Sequence, residues 1–302
     1  MNTARGEQSV RFSLWIENVI LGRLWAVVRL PFVAAVLLVL VSCAQAPVPA
    51  PAKIEAPGGP GSVSFASSEV ATGSGPRNLT GRLRKPEGAG PFPAVVLLHG
   101  CGGMQPGRDS LWARMIAGWG YVALQVDSFG PRGLASVCTY TGSEAEDIRR
   151  KRVTDAYDAK RYLAGLPFVD RGRIAVMGWS HGGAVTLDAL FRQTEAPFRV
   201  AVAYYPSCRR MLTGLNAPLL ILIGEADDWT PATRCSEKMP KEGSVPEVSL
   251  RVYPGAHHAF DGPGRARSVA GSRGSIHRLE YHPEAAADSI VRVRAFLEKH
   301  LK

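Results

Sequence analysis

Residues 174–183 read Ile-Ala-Val-Met-Gly-Trp-Ser-His-Gly-Gly, and this stretch predicts a strand, a tight turn and the start of a helix. The apolar run at 174–177 is typical of a buried strand, and residues 184–191 continue as a helix. Glycines at 178 and 182 permit a sharp reversal because they lack the side chains that would collide there. The turn is therefore predicted to hold Ser180 on an exposed tip above a sheet edge, where its hydroxyl can act as a nucleophile.

Strands and helices alternate on both sides of this turn. Strands are predicted at residues 63–70, 79–85, 94–98, 121–126, 174–177, 199–204, 219–223 and 248–253, and helices at 109–119, 143–163, 184–191 and 283–301. The first two strands are expected to be antiparallel, since a turn of Gly, Ser and Pro separates them. The pattern predicts an α/β domain in which helices cover both faces of a mostly parallel sheet.

The N-terminal part of the chain has the composition of an export segment and a tether. We interpret residues 1–43 as a signal, because the apolar run at 31–41 is shorter than the roughly 20 residues that span a bilayer but suits a signal-peptide core. Residues 44–62 are rich in Pro, Ala and Gly and are expected to form an extended linker. The folded domain is predicted to occupy residues 63–302.

The apolar run ends in Leu-Val-Ser-Cys at residues 40–43, which resembles the lipobox of bacterial lipoproteins. Export would place the protein in the periplasm, and lipidation of Cys43 would anchor it there to a membrane. Two alternatives remain: an ordinary signal cleaved near Ala44 or Ala46, and an uncleaved anchor that includes residues 25–41.

Charge and cysteine spacing argue against nucleic-acid and metal partners. The formal net charge is +10, and the dense basic cluster at residues 149–152 stands beside Glu144, Glu146 and Asp147, as on a solvated helix face. None of the five cysteines has CxxC spacing, so no structural metal is expected. Cys101, Cys138, Cys208 and Cys235 either form two disulfides, in one of three pairings, or stay as free buried thiols.

A serine hydroxyl needs a histidine base and an acid that orients the histidine. After a turn of this kind the expected order along the chain is Ser, then Asp or Glu, then His. Asp227 and Asp228 follow the strand at 219–223, and we favour Asp227 because it lies nearer the strand end, leaving Asp228 as a helix cap. His257 and His258 follow the strand at 248–253, and spacing does not choose between them.

Acyl transfer also needs hydrogen-bond donors for the oxyanion. One is expected to be the backbone N–H of His181, the residue after the nucleophile. The second is expected from the glycine-rich loop at residues 99–103, where we choose the N–H of Cys101. His99 precedes the serine in the chain and is interpreted as packing beneath this loop.

Five motifs together resemble the dienelactone hydrolase family, over about residues 79–302. They read His-Gly-Cys-Gly-Gly (99–103), Asp-Ser-Phe-Gly-Pro-Arg-Gly (127–133), Gly-Trp-Ser-His-Gly-Gly (178–183), Gly-Glu-Ala-Asp-Asp-Trp-Thr-Pro (224–231) and Ala-His-His-Ala-Phe-Asp (256–261). The resemblance implies an α/β-hydrolase fold, no metal or organic cofactor, and hydrolysis of esters or lactones. It also implies that Asp227 is the acid and His258 the base.

One departure from the family bears on the substrate. The dienelactone hydrolases proper carry a cysteine at the nucleophile position, whereas this chain has Ser180. We therefore expect a serine carboxylesterase of small-molecule esters or lactones rather than a dienelactone-specific enzyme. A peptidase on the same fold and a non-catalytic binding protein are the alternatives.

Three further side chains are candidate substrate contacts. Arg132 is a candidate because its loop follows a strand at the same sheet edge, although it could instead fix the loop through hydrogen bonds. Trp179 and Trp229 are candidates for the pocket wall, with core packing as the alternative. Residues 262–278 carry four Arg and four Gly and are interpreted as a mobile surface loop that could cover the site.

Overall fold

A computed structural model describes residues 61–71 and 75–302. The predicted signal at residues 1–43, with Cys43, and all but the last two residues of the predicted linker at 44–62 lie outside the described residues. Strand β1 (Gly61–Ala71) includes those last two residues, so the sheet begins slightly earlier than expected. None of the helices in the described part of the chain is long and apolar enough to cross a membrane.

Eight strands form the central sheet: β1, β2 (Gly75–Arg84), β3 (Phe92–Leu98), β4 (Val122–Asp127), β5 (Val169–Trp179), β6 (Ala201–Tyr204), β7 (Leu219–Gly224) and β8 (Val248–Tyr253). Their order across the sheet is β1-β2-β4-β3-β5-β6-β7-β8. Strand β2 runs antiparallel to β1 and to β4, and every pairing from β4 to β8 is parallel. The described residues thus contain the mostly parallel sheet that the alternation predicts.

The helices are α1 (Pro106–Gly118), α2 (Gly142–Ala164), α3 (His181–Leu190), α4 (Thr233–Ser236) and α5 (Pro283–Leu301). The chain steps one way across the sheet through α1, from β3 to β4, and the opposite way through α2, from β4 to β5. Right-handed crossovers in opposite directions place these two helices on opposite faces. The central strands between them are almost wholly buried because they are apolar on both faces.

Residues 262–278, expected to be a loop, contain secondary structure. Strands β9 (Arg267–Ala270) and β10 (Ile276–Leu279) form a separate antiparallel hairpin. A bridge between His258 and Leu279, together with a bond from the Glu280 N–H to the His258 carbonyl of 3.1 Å, ties its second strand to the loop after β8. The hairpin therefore lies beside the predicted base.

Candidate active site

Ser180 occupies a strained turn between β5 and α3. Its φ of 53° and ψ of −114° are rare for a residue with a side chain, and the helix starts at the next residue. The Ser180 N–H donates to the Tyr204 carbonyl at 2.9 Å, and the Ala184 N–H donates to the Ser180 carbonyl at 2.9 Å. Neighbouring strand and helix thus hold the conformation that presents the hydroxyl.

The two glycines of the turn are required by close approach of the backbone. A β-carbon on Gly178 would collide with the Gly182 carbonyl, and one on Gly182 would collide with the carbonyls of Leu98 and His99. The Gly-x-Ser-x-Gly spacing is therefore what lets α3 start directly against the end of β3.

Three loops bring Ser180, His258 and Asp227 into one hydrogen-bonded chain. His258 Nε2 lies 2.9 Å from Ser180 Oγ, and His258 Nδ1 lies 2.7 Å from Asp227 Oδ2. An ionised carboxylate only accepts, so Nδ1 carries the proton and Nε2 is free to accept the proton of the Ser180 hydroxyl. This order of groups is what activation of a serine nucleophile requires.

Asp227 is held as a carboxylate by its surroundings. Its Oδ1 accepts from the backbone N–H groups of Trp229 at 2.9 Å and Thr230 at 2.8 Å, and its Oδ2 also accepts from the Thr230 hydroxyl at 2.9 Å. Burial raises the pKa of Asp227, but the charge of His258 and the hydrogen bonds from His258 and Thr230 outweigh it and lower that pKa below its usual value. The acid is ionised at neutral pH.

The alternative acid and base point elsewhere. Asp228 is exposed and accepts from the Arg278 N–H at 3.3 Å, so it anchors the β9–β10 hairpin and does not act as the expected helix cap. His257 Nε2 lies 3.9 Å from a Glu280 carboxylate oxygen. Neither residue takes part in the hydrogen-bonded chain to Ser180.

The glycine-rich loop after β3 lies against the nucleophile. Gly100, Cys101 and Ser180 line the same cavity, and a disulfide joins Cys101 to Cys138. A second disulfide joins Cys208 to Cys235, so the structure has one of the three pairings that the sequence allowed. His99 is 2% exposed and packs beneath the loop, as expected.

Two cavities meet at Ser180. The larger, of about 420 Å³, is lined on one side by the glycine-rich loop and on the other by Trp229, Val269 and Leu279. The smaller, of about 220 Å³, lies toward His181, Tyr140 and Ser207. A small ester with its carbonyl beside Ser180 could therefore place its acyl group in one cavity and its alcohol group in the other.

The structure places the three candidate substrate contacts differently. Trp229 lines both cavities, and its ring lies 5.1 Å from that of His258. In contrast, neither Arg132 nor Trp179 lines a cavity at Ser180 within the described residues. Arg132 forms a two-pronged ion pair with buried Asp155 at 2.8 Å and donates to the Ser128 carbonyl at 2.6 Å, so it fixes its loop. Trp179 is buried at 1% exposure and packs in the core.

Asp261 had no predicted role, but its carboxylate holds the aromatic side chains that pack beneath His258. Its carboxylate accepts from Trp112 Nε1 at 2.9 Å, Trp179 Nε1 at 2.8 Å and the Tyr205 hydroxyl at 2.6 Å. The Tyr205 ring in turn lies 4.6 Å from the His258 ring. The one sequence feature that could have indicated a role for Asp261 is its place at the end of the motif at residues 256–261.

Comparison with known proteins shows the family of the chain. A model of the dienelactone hydrolase family matches residues 79–301. An uncharacterised protein of Mycobacterium tuberculosis is 28% identical over 192 residues, which cover 56% of this chain and only 64% of that relative. A protein of Azospirillum brasilense named "Putative carboxymethylenebutenolidase" is 28% identical over 230 residues, covering 72% of this chain and 92% of its own.

A solved structure shares the fold. The crystal structure of a dienelactone hydrolase-like promiscuous phosphotriesterase from metagenomic libraries superposes with a TM-score of 0.59 at 21% identity, covering 81% of this chain and 100% of the other. The similarity confirms the predicted α/β-hydrolase fold.

Proposed function

We propose that this chain, which belongs to the dienelactone hydrolase family, is a serine hydrolase that cleaves esters or lactones of small substrates. The observation that carries the proposal is the chain of contacts from Ser180 through His258 to Asp227. The two cavities beside Ser180, of about 420 and 220 Å³, also support the proposal because they suit the acyl and alcohol groups of a small ester.

The proposed reaction passes through an acyl-enzyme. His258 Nε2 takes the proton of the Ser180 hydroxyl as Oγ attacks the carbonyl carbon, and the carbonyl oxygen becomes an oxyanion held by the N–H groups of Cys101 and His181. Collapse breaks the ester bond, and His258 gives the proton to the departing alcohol. Water then attacks the acyl-enzyme with His258 again as base, which releases the acid and restores Ser180.

The test is a series of p-nitrophenyl esters of increasing acyl length, assayed with the wild type and with Ser180→Ala. We expect hydrolysis by the wild type that is strongest for short acyl chains and at least 1000-fold weaker in Ser180→Ala. Equal rates in the two proteins would remove Ser180 as the nucleophile.

Amide cleavage is the alternative activity, since the same triad hydrolyses both bonds. Peptide p-nitroanilides, assayed beside the esters, separate the two possibilities. A kcat/KM for an anilide above that for every ester would assign the protein to the peptidases instead.

We also propose that the protein is exported and that Cys43 is lipidated. Two disulfides in the domain support maturation in an oxidising compartment. Metabolic labelling with a palmitate analogue, compared between the wild type and Cys43→Ala, tests the proposal. Equal labelling of the two proteins would exclude Cys43 as the lipidated residue.

A further inference from the structure

A buried arginine lies directly beneath the two loops that flank Ser180. Arg152, on α2, is 0% exposed. Its Nη2 donates to the His99 carbonyl at 2.6 Å, and its Nη1 lies 2.7 Å from His181 Nδ1. One guanidinium therefore contacts both the loop after β3 and the first residue after the nucleophile.

His99, which Arg152 contacts, is hydrogen-bonded to the peptide group that carries the Cys101 N–H. His99 Nδ1 lies 2.8 Å from the Gly100 carbonyl, and the Ser128 N–H lies 3.3 Å from His99 Nε2. A carbonyl only accepts and an amide N–H only donates, so Nδ1 carries the proton. The Gly100 carbonyl and the Cys101 N–H belong to one planar trans peptide and point in opposite directions. By holding the carbonyl from below, His99 turns the Cys101 N–H away from itself.

The contact between Arg152 and the His181 ring holds the residue that carries the second expected oxyanion donor. A guanidinium has no acceptor, so His181 Nδ1 must accept and the imidazole must be neutral. Burial and then the charge of Arg152 lower the pKa of His99 and of His181 well below the usual value, which is consistent with two neutral rings. The ring of His181 is thereby attached to the same cation as the loop that carries Cys101.

Arg152 is not placed there by an ion pair. None of the ion pairs within 4.0 Å among the described residues includes Arg152, because the nearby Asp155 is engaged by Arg132. Arg152 Nη2 also lies 3.5 Å from His99 Nδ1, and the guanidinium carbon lies 5.0 Å from the centre of the Phe129 ring. Burial of a cation without an ion-pair partner is costly, so the hydrogen bonds of Arg152 to His99 and His181 must offset that cost.

We propose that Arg152 is a positioning residue for the oxyanion hole. It holds the Cys101 and His181 N–H groups at a fixed spacing, through His99 on one side and through the His181 ring on the other. Its positive charge lies behind the position where negative charge develops. The proposal rests on the proposed serine-hydrolase function, because only that reaction forms an oxyanion at Ser180.

The experiment compares Arg152→Met with the wild type in two assays. One is hydrolysis of p-nitrophenyl acetate, and the other is the rate at which a fluorophosphonate probe labels Ser180. A displacement of about 1 Å in a catalytic group can cost about 100-fold in rate. We expect kcat and the labelling rate each to fall about 10- to 100-fold, with KM changed less than about threefold, because the ground-state ester does not use the oxyanion hole.

Lys160→Met is the matched control, since Lys160 is a second nearly buried cation on α2 and lies over the Phe198 ring instead of the loops. It is expected to keep the wild-type kcat. If Arg152→Met does not fold, His181→Ala tests the proposal instead, because it removes one acceptor of Arg152 and keeps the backbone N–H of residue 181. We expect kcat of His181→Ala to fall about 10-fold. Unchanged kcat and labelling in Arg152→Met, or in His181→Ala where that variant decides, overturn the proposal. Failure of the wild type itself to be labelled would instead overturn the proposed function.

Discussion

Four hydrogen bonds converge on the carboxylate of Asp227, from His258, the Thr230 hydroxyl and the backbone N–H groups of Trp229 and Thr230. The three bonds from Trp229 and Thr230 hold the carboxylate in place, and its contact with His258 Nδ1 gives the imidazole one tautomer and one orientation. The neighbouring Asp228 has none of these contacts and instead receives the Arg278 N–H. Two adjacent aspartates thus make separate sets of contacts.

Asp227→Asn is expected to lower kcat by about 1000- to 10,000-fold, because an amide can donate to Nδ1 and favour the wrong tautomer of His258. Steady-state kinetics with a p-nitrophenyl ester measure the effect, and KM should change little. Asp228→Asn is the control and should retain kcat within about threefold, because an exposed polar group is replaced by a similar one. The reverse ranking of the two variants would assign the acid to Asp228.

The lowered pKa of Asp227 predicts a pH-dependent contribution to stability. A folded-state pKa below the unfolded value of about 3.9 means that the contribution is present above about pH 5 and is lost as pH falls through the folded pKa. The free energy of unfolding of the wild type, minus that of Asp227→Asn, should therefore decrease between pH 6 and pH 3. Urea titrations across that range measure it, and a difference that grows toward acid pH would contradict the assignment.

At the scale of elements, the β9–β10 hairpin closes one wall of the larger cavity. Val269 and Leu279 line that cavity, and the His277 ring stacks on Trp229 with centroids 4.6 Å apart. The hairpin was not predicted, because its strands are four residues each, largely exposed and set among Arg and Gly. Their pairing depends on contacts with Asp228, Trp229 and His258, which neither propensity nor periodicity encodes.

Leu279→Ala should widen the cavity and shift the preferred acyl chain toward longer esters. The ratio of kcat/KM for the butyrate and the acetate ester is expected to rise about 3- to 10-fold, since one or two methylenes in an apolar pocket are worth that order. Ile276→Ala, on the same strand but 63% exposed and outside the cavity lining, is the control. A ratio that is unchanged in Leu279→Ala, or changed equally in both variants, would exclude the hairpin as the wall.

At the scale of the whole molecule, two disulfides connect loops at the same end of the sheet. Cys101–Cys138 ties the glycine-rich loop to the segment before α2, and Cys208–Cys235 ties the segment after β6 to α4. The sequence could not choose this pairing, because it depends on which loops the sheet order brings together. The parallel strands could be predicted because apolar runs mark buried strands. The proximity of Ser180, Asp227 and His258 could be predicted because each residue follows such a strand at the same edge of the sheet. The role of Asp261 could not, because its three donors come from Trp112, Trp179 and Tyr205, which are distant in sequence.

Replacing either cysteine pair by alanines should lower the free energy of unfolding by about 2 to 4 kcal/mol, because the crosslink restricts the unfolded chain. Only the Cys101→Ala/Cys138→Ala protein should also lose kcat, by about 10-fold or more, because Cys101 belongs to the loop beside Ser180. Chemical denaturation and kinetics on the folded proteins measure both effects. An equal loss of kcat in Cys208→Ala/Cys235→Ala would contradict this separation.

The most direct test of Ser180 as the nucleophile is active-site labelling with a fluorophosphonate, followed by mass spectrometry of the peptides. We expect one adduct per chain, on Ser180, absent in Ser180→Ala and formed at least 100-fold more slowly in His258→Ala. A wild-type protein that stays unlabelled, carries its adduct on another residue, or reacts as fast without His258 would contradict it.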